Sequence, residues 1–235
     1  MISNPLTAEP DFLENLLSFL SPDERERANR YRFEKHRNSF IVGRGLLRLI
    51  LGGYIGILPS SVRFIYGDCG KPALLDRPDV VFNIAHSEDF MVCAVGENLQ
   101  LGVDIEFIRE IENMEDIARH FFCFTEYREV FALPAELRAR AFFNCWTRKE
   151  AFIKALGHGL SYPLDRFRVT LEPGQRAELL SIEGCEASQL RWSLHDVTPS
   201  NNYAATLAVD DRNCGVNIWK FDSPTECAIF CTQNR

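Results

Sequence analysis

The chain has 235 residues, 46% of them apolar, which is enough for one sizeable domain or two small ones around a real core and excludes a disordered chain. Its net charge of −7 excludes a general nucleic-acid binder, because neutralising phosphates needs a basic surface. The eight cysteines are scattered without a C-x-x-C pair, so reduced thiols in a cytoplasmic protein are expected rather than a disulfide framework.

The N-terminal run MISNPLTAEP has neither a basic stretch nor an apolar leader core. The most apolar run, LLRLILGGYIGIL, is interrupted by Arg48 and two adjacent glycines, so neither secretion nor membrane insertion is expected. Ser21-Pro22-Asp23-Glu24 reads as a helix start, with serine at the cap, proline in the first turn and acids near the positive end of the dipole. A basic helix follows, then a second helix from Phe40 to Leu51. This region concentrates Arg25, Arg27, Arg30, Arg32, Lys35, Arg37, Arg44 and Arg48 against only Glu26 and Glu34. Such a patch suits a polyanionic ligand or an acidic partner, although an isolated charge run is more often a solvated face.

Short strands are expected at Val62 to Tyr66, Val80 to Ile84, Phe90 to Val95 and Leu99 to Ile105, separated by turns such as Gly67-Asp68 and Gly96-Glu97-Asn98. Helices are expected over Ile111 to Phe122 and Thr125 to Leu156, the latter broken near Pro134. Strands then return near Phe167 to Leu171, Arg191 to Val197, Tyr203 to Val209 and Val216 to Lys220. The plan repeats: Arg44 precedes a helix that ends in glycines and reaches Pro59, and Arg148 precedes another that reaches Pro163 at the same offset. The expected fold is α+β with α/β-type halves. Two similar subdomains, residues 1–110 and 111–235, would be related by a pseudo-twofold axis, with a ligand cleft between them.

Three stretches carry candidate chemistry. In Leu101-Gly102-Val103-Asp104-Ile105-Glu106, strand alternation sends Asp104 and Glu106 to one face, their Cα atoms about 6.6 Å apart. Two such carboxylates repel unless a cation or water separates them, and an oxygen-only set suits Mg²⁺; the alternative is an ordinary exposed strand face. In WTRKEAFIK, Lys149 falls in an apolar stripe of Phe142, Trp146 and Ile153, while Glu150 and Lys154 lie one turn apart on the neighbouring strip. A lysine there must reach out of the core or meet an anion. In Phe82-Asn83-Ile84-Ala85-His86-Ser87, a strand runs into His-Ser, and Gly70-Lys71-Pro72 puts a cation in a rigid turn upstream. No phosphate loop ending in Gly-Lys-Ser/Thr is present.

In chain order, "GKP", "FNIAHSEDFMVCAV", "LGVDIE", "FFCFTE" and "FFNCWTRKEAFIKALGHGLSYPL" resemble the 4'-phosphopantetheinyl transferases of the Sfp type. The resemblance runs from about Ser21 to Val169, with the strand pattern continuing to Val209. It implies two related α/β halves in one monomer that moves the phosphopantetheine arm of coenzyme A onto a serine of an apo acyl or peptidyl carrier protein. Adenosine 3',5'-bisphosphate is released, and the alternative is a non-catalytic homologue that binds coenzyme A or a carrier. Carried over by position, Asp104, Glu106 and Glu150 hold Mg²⁺, and Glu150 is the base for the incoming serine, directly or through water. Asp104 and Lys154 complete the catalytic set, and Lys149 and Lys154 meet the phosphates. His86, with Ala85 and Ser87, contacts the diphosphate, Lys71 and Pro72 lie along the adenine, and Arg27 and Arg44 serve the 3'-phosphate. Glu24 and Ala85 depart from the pattern, which expects a basic residue and a serine. The carrier would dock on the Arg-rich segment or near Phe121 to Val130.

Overall fold

The computed structural model describes residues 1–3, 9–67, 70–88, 90–157, 162–183 and 191–233. Asp68 of the expected Gly67-Asp68 turn, and Gly159, the later of the glycines closing the second repeat's helix, lie outside the described residues. The first half runs β1 (Ile2–Ser3), α1 (Pro10–Phe19), α2 (Pro22–Asn29), α3 (Glu34–Ile55), a 3₁₀ turn at Pro59–Ser61, β2 (Phe64–Tyr66), β3 (Pro72–Leu74), β4 (Val80–Ser87) and β5 (Phe90–Glu97). The second half repeats that order with β6 (Leu101–Phe107), α4 (Met114–Phe121), α5 (Phe124–Ala132), α6 (Ala135–Leu156), a 3₁₀ turn at Leu164–Arg166, β7 (Phe167–Val169), β8 (Leu179–Ile182), β9 (Ser193–Asp196) and β10 (Tyr203–Val209). A last helix, α7 (Pro224–Gln233), packs on α3.

The sheets repeat as well. β1-β5-β4 and β6-β10-β9 are antiparallel sheets of the same order, and β2–β3 and β7–β8 are matching hairpins. The expected α+β duplication therefore holds. β6 pairs with β10, so residues 101–107 open the second half, ahead of the boundary expected at 110/111.

Local chemistry accounts for the element ends. Ser21 and Glu24 form a capping box on α2, and Pro22 fits its first turn, where no N–H partner is needed. α3 and α6 are both 22 residues long, and each stops at a left-handed glycine, Gly56 (φ 73°) and Gly157 (φ 75°), a conformation that costs other residues energy. Pro134 separates α5 from α6, as its position predicts. The expected strand at Val216 to Lys220 is irregular instead. β1 is two residues long, and it offers little edge to that segment beyond the Met1 amine donating to the Trp219 carbonyl (2.7 Å) and the Phe221 N–H donating to Met1 (2.9 Å).

One buried ion pair is built twice. In the first half, Glu24 accepts the Ser21 N–H (3.0 Å) and the Arg48 guanidinium (2.6 Å), and Arg48 donates onward to the Pro59 (3.2 Å) and Val62 (2.8 Å) carbonyls. In the second, Glu126 accepts the Cys123 N–H (3.0 Å) and the Lys149 ammonium (2.8 Å), and Lys149 donates to the Leu164 (2.7 Å) and Phe167 (2.5 Å) carbonyls. Each glutamate caps a short helix while its cation, on the following long helix, grips the turn leading to the hairpin.

β6 is the strand through which the halves meet. β4 and β6 lie alongside each other in the same direction, and side chains replace a ladder: the Asn83 amide oxygen accepts the Val103 N–H (2.8 Å) and the Ser87 hydroxyl accepts the Phe107 N–H (2.9 Å). On its other side β6 presses on α6, where a Cβ added to Gly102 would overlap the Ala151 carbonyl oxygen and the Ala155 nitrogen. Only glycine fits between two backbones that close. Gly102→Ala is therefore expected to lower unfolding free energy in urea by about 1–3 kcal/mol through overpacking. A variant as stable as the parent would show that strand and helix are not in this contact.

Candidate active site

The β6–α6 contact sets the chemistry. Alternation along β6 turns Leu101, Val103 and Ile105 into the apolar layer between the sheets and turns Asp104 and Glu106 the other way. On α6, Trp146, Glu150 and Lys154 recur every four residues and so share one face. The two rows meet in a cleft of about 860 Å³, which Ala85 and His86 of β4 enter from the first half. Phe121 and Trp146, edge to face at 5.6 Å, form one wall, and residues Tyr162 to Asp165 form another.

Three carboxylates and an ammonium share this space. Lys154 donates to Asp104 Oδ1 at 2.6 Å, while Asp104 Oδ2 is buried with no hydrogen-bond partner. The Asp104 carboxyl is pushed up to about 7, chiefly by burial, with Lys154 opposing the rise and the charges of Glu106 and Glu150 adding to it. Burial raises Glu150 too, with Lys154 opposing and Glu106 adding to the rise. Ser87 donates to Glu106 Oε2 at 3.3 Å, which steadies that carboxylate from β4. Among the described residues no three His, Cys, Asp or Glu side chains are drawn into a closed metal cage; Asp104 closes on Lys154 instead.

Comparison with known proteins gives this cleft its context. Residues 100–208 match the model of the 4'-phosphopantetheinyl transferase superfamily, and residues 5–98 match that of the 4'-phosphopantetheinyl transferase N-terminal region. The 4'-phosphopantetheinyl transferase HetI of Nostoc sp. (strain PCC 7120) is 38% identical over 92% of this chain and 90% of its own. The chain belongs to the 4'-phosphopantetheinyl transferase family. The transferase also aligns with the 4'-phosphopantetheinyl transferase Sfp of Bacillus subtilis (strain 168), at 35% identity over 72% of this chain and 74% of that one. Its activity is 4'-phosphopantetheinyl transfer to carrier proteins.

Of the residues singled out from the sequence, the structure gathers Ala85, His86, Asp104, Glu106, Glu150 and Lys154 in the transferase cleft. Lys149 is not among them. It is fully buried, its ammonium is shared between Glu126 and two carbonyls and lies 4.3 Å from the Phe167 ring centre, and no proton is left for a phosphate. This corrects its expected phosphate contact and explains the lysine in the apolar stripe: Lys149 is the second half's counterpart of Arg48. Ser87 spends its hydroxyl on Phe107 and Glu106, which places it behind the site rather than against a diphosphate.

Arg27, Arg44, Lys71 and Pro72 lie on the first half, outside the cleft lining. The Arg27 guanidinium sits over Phe40, and Arg44 pairs with Glu24 (3.0 Å) and donates to the Tyr66 hydroxyl (2.6 Å). Glu24 thus departs from the expected basic residue because it is the buried hub for Arg44 and Arg48. Sequence reasoning missed His120, Phe121, Trp146 and Tyr162 as lining residues. Trp146 had a signal, since it stands one turn before Glu150 on the same face; the others come from separate segments.

Two expectations follow. Lys149→Met leaves Glu126 charged and buried, so unfolding free energy should drop by about 3–5 kcal/mol in denaturant titration; a loss below about 1 kcal/mol would mean that the pair is solvated. For pH, the Asp104 carboxyl sits at about 7 in the fold against an ordinary 3.8. Its protonation stabilises the metal-free protein below the ordinary value, and that stabilisation is lost as pH rises through about 7. The melting temperature of Asp104→Asn relative to wild type should therefore rise between pH 4 and 7.5, and a pH-independent difference would contradict the shift.

Proposed function

We propose that this cleft transfers the phosphopantetheine arm from coenzyme A to a serine of an apo carrier protein, with Mg²⁺ held by Asp104, Glu106 and Glu150. One observation carries the reading: carboxylates from β6 and α6 converge with Lys154 in a single cleft beside His86. The residues fit a hard divalent ion, because they are oxygen donors that repel one another and Asp104 Oδ2 is a buried acceptor with nothing to accept from. When bound, Mg²⁺ would neutralise the donor pyrophosphate and the charge that grows on it during transfer.

The chain's own groups do the rest. Glu150, whose carboxyl burial makes a stronger proton acceptor, takes the proton of the incoming serine hydroxyl. The serine oxygen attacks the phosphorus attached to the pantetheine arm, the phosphoanhydride bond breaks, and adenosine 3',5'-bisphosphate leaves with the bonding pair. Lys154, which lines the cleft one turn beyond Glu150, puts a positive charge beside the oxygen that becomes negative. His86, exposed at the rim, donates to the diphosphate, and Phe121, Trp146 and Tyr162 keep water from the reacting phosphorus. Arg27, exposed on the first half, and Arg44, held by Glu24, serve the 3'-phosphate, for which a forked guanidinium is well shaped.

The acceptors are carrier proteins of fatty-acid, polyketide or peptide synthesis, and the enzyme works as a cytoplasmic monomer. No helix among the described residues is long and apolar enough to cross a membrane. Incubation with apo carrier, coenzyme A and Mg²⁺ is expected to add the phosphopantetheine mass to the carrier in mass spectrometry. Glu150→Gln should cut the transfer rate by about 10²–10⁴-fold. An unmodified carrier with bound coenzyme A would indicate the non-catalytic homologue, and near-normal turnover of Glu150→Gln would remove it as the base.

A further inference from the structure

Lys71 stands in the turn between β2 and β3 of the first half, yet its ammonium ends inside the second. It donates to the Lys154 carbonyl at 2.6 Å, to Leu101 at 3.1 Å and to Ala155 at 3.4 Å. Those acceptors are not arbitrary. Leu101 is the first residue of β6, the strand that carries Asp104 and Glu106, and Lys154 and Ala155 form the last turn of α6, the helix that carries Glu150 and Lys154 itself.

We infer that Lys71 is a positioning residue that pins the joint between β6 and α6 from across the two halves, and so fixes the spacing of the carboxylates and the lysine in the cleft. The last turn of a helix leaves carbonyls without partners inside the helix and bears a partial negative charge, so a cation is favoured there twice over. Among the described residues, the Gly157 N–H covers Ile153 (3.1 Å) and, at 3.3 Å, Lys154, and Lys71 is the other donor to the Lys154 carbonyl and the donor to Ala155. The ammonium has three protons and three carbonyls to receive them. Its half-buried site makes the charge harder to hold, which is the mark of a cation committed to the protein rather than to solvent.

The contact falls where the packing is tightest. Gly102, next to Leu101, is the residue whose missing side chain lets β6 touch the α6 backbone at Ala151 and Ala155. Lys71 therefore bridges strand and helix at the edge of that contact, one residue from Gly102 on the strand and on the cleft lysine's own peptide on the helix. The inference deepens the proposed function and opposes a direct role for the Lys71 side chain along the donor's adenine.

The test compares Lys71→Met and Lys71→Arg with the wild type in transfer kinetics and in amide hydrogen exchange. With Met, kcat is expected to fall about tenfold or more while KM for coenzyme A stays within about twofold, since what is lost is geometry in the transition state. Amides of residues 154–157 should exchange about tenfold faster as the last turn loosens. Arg, a donor that reaches the same carbonyls, should recover most of kcat and the protection. A rise in KM for coenzyme A at unchanged kcat would overturn the inference, because it marks a donor contact, and so would unchanged exchange in that turn. If Lys71→Met does not fold, Lys71→Gln, which keeps two donor protons, is measured in the same way. Should the wild type show no transfer at all, the proposed function fails while the exchange measurement still decides the role of Lys71.

Discussion

A buried glutamate that caps one helix and binds the cation of the next is the interaction on which this molecule is built, and the chain makes it twice. Glu24 with Arg48, and Glu126 with Lys149, each tie a short helix to a long one and to the turn that follows. Burying such a pair costs desolvation, which only close geometry and further hydrogen bonds offset. Both sites supply them, with a helix N-cap N–H on the acid and two carbonyls on the base. The pairs hold α3 and α6 in equivalent poses, and they are the chemical counterpart of the repeated element order. In the second half the held turn, Leu164–Arg166, is also a wall of the cleft, so the pair reaches the site through the backbone it grips.

Duplication alone makes no such cleft; the asymmetry between the halves does. β6 opens the second half but lies along β4 of the first, where Asn83 and Ser87 stand in for a strand ladder. That junction leaves the end of β4, with Ala85 and His86, facing the acids of β6. Glycine at 102 then lets α6 come in close from the other side. Strand, strand and helix each contribute one row, and none of the rows would form the cleft alone. The buried orphan oxygen of Asp104 is the physical consequence: three carboxylates are crowded at a place with one lysine to answer them.

Charged residues at this junction divide by what their protons or lone pairs already do. Lys149 and Glu126 have every group engaged within the protein, and Arg48 is committed to Glu24 and two carbonyls, so all three are structural. Asp104, Glu150 and Lys154 keep capacity for something else. Motif spacing treats Lys149, Glu150 and Lys154 alike, and only their neighbours separate the lysine satisfied inside the core from the one that lines the cleft.

What the sequence determined by itself was the periodic part. The helix cap at Ser21, the breaks at Pro134 and Gly157, the strand alternation that sends Asp104 and Glu106 one way, and the repeat of a helix, a proline and strands were all legible, because each depends on residues within a few positions of one another; the stop expected at Leu51 was not, since α3 runs on through Gly52 and Gly53 to Ile55. The motif pairing of β6 with α6 was specific enough to point to the family. Tertiary structure decided the rest. Lys149 went to Glu126 rather than to a phosphate, Ser87 turned to Glu106, and Lys71 crossed to the end of α6. The segment at Val216 to Lys220, strand-like in pattern, found no long edge to join. In each case the partner is distant in sequence and is set by how closely two backbones approach, a quantity that no local spacing contains.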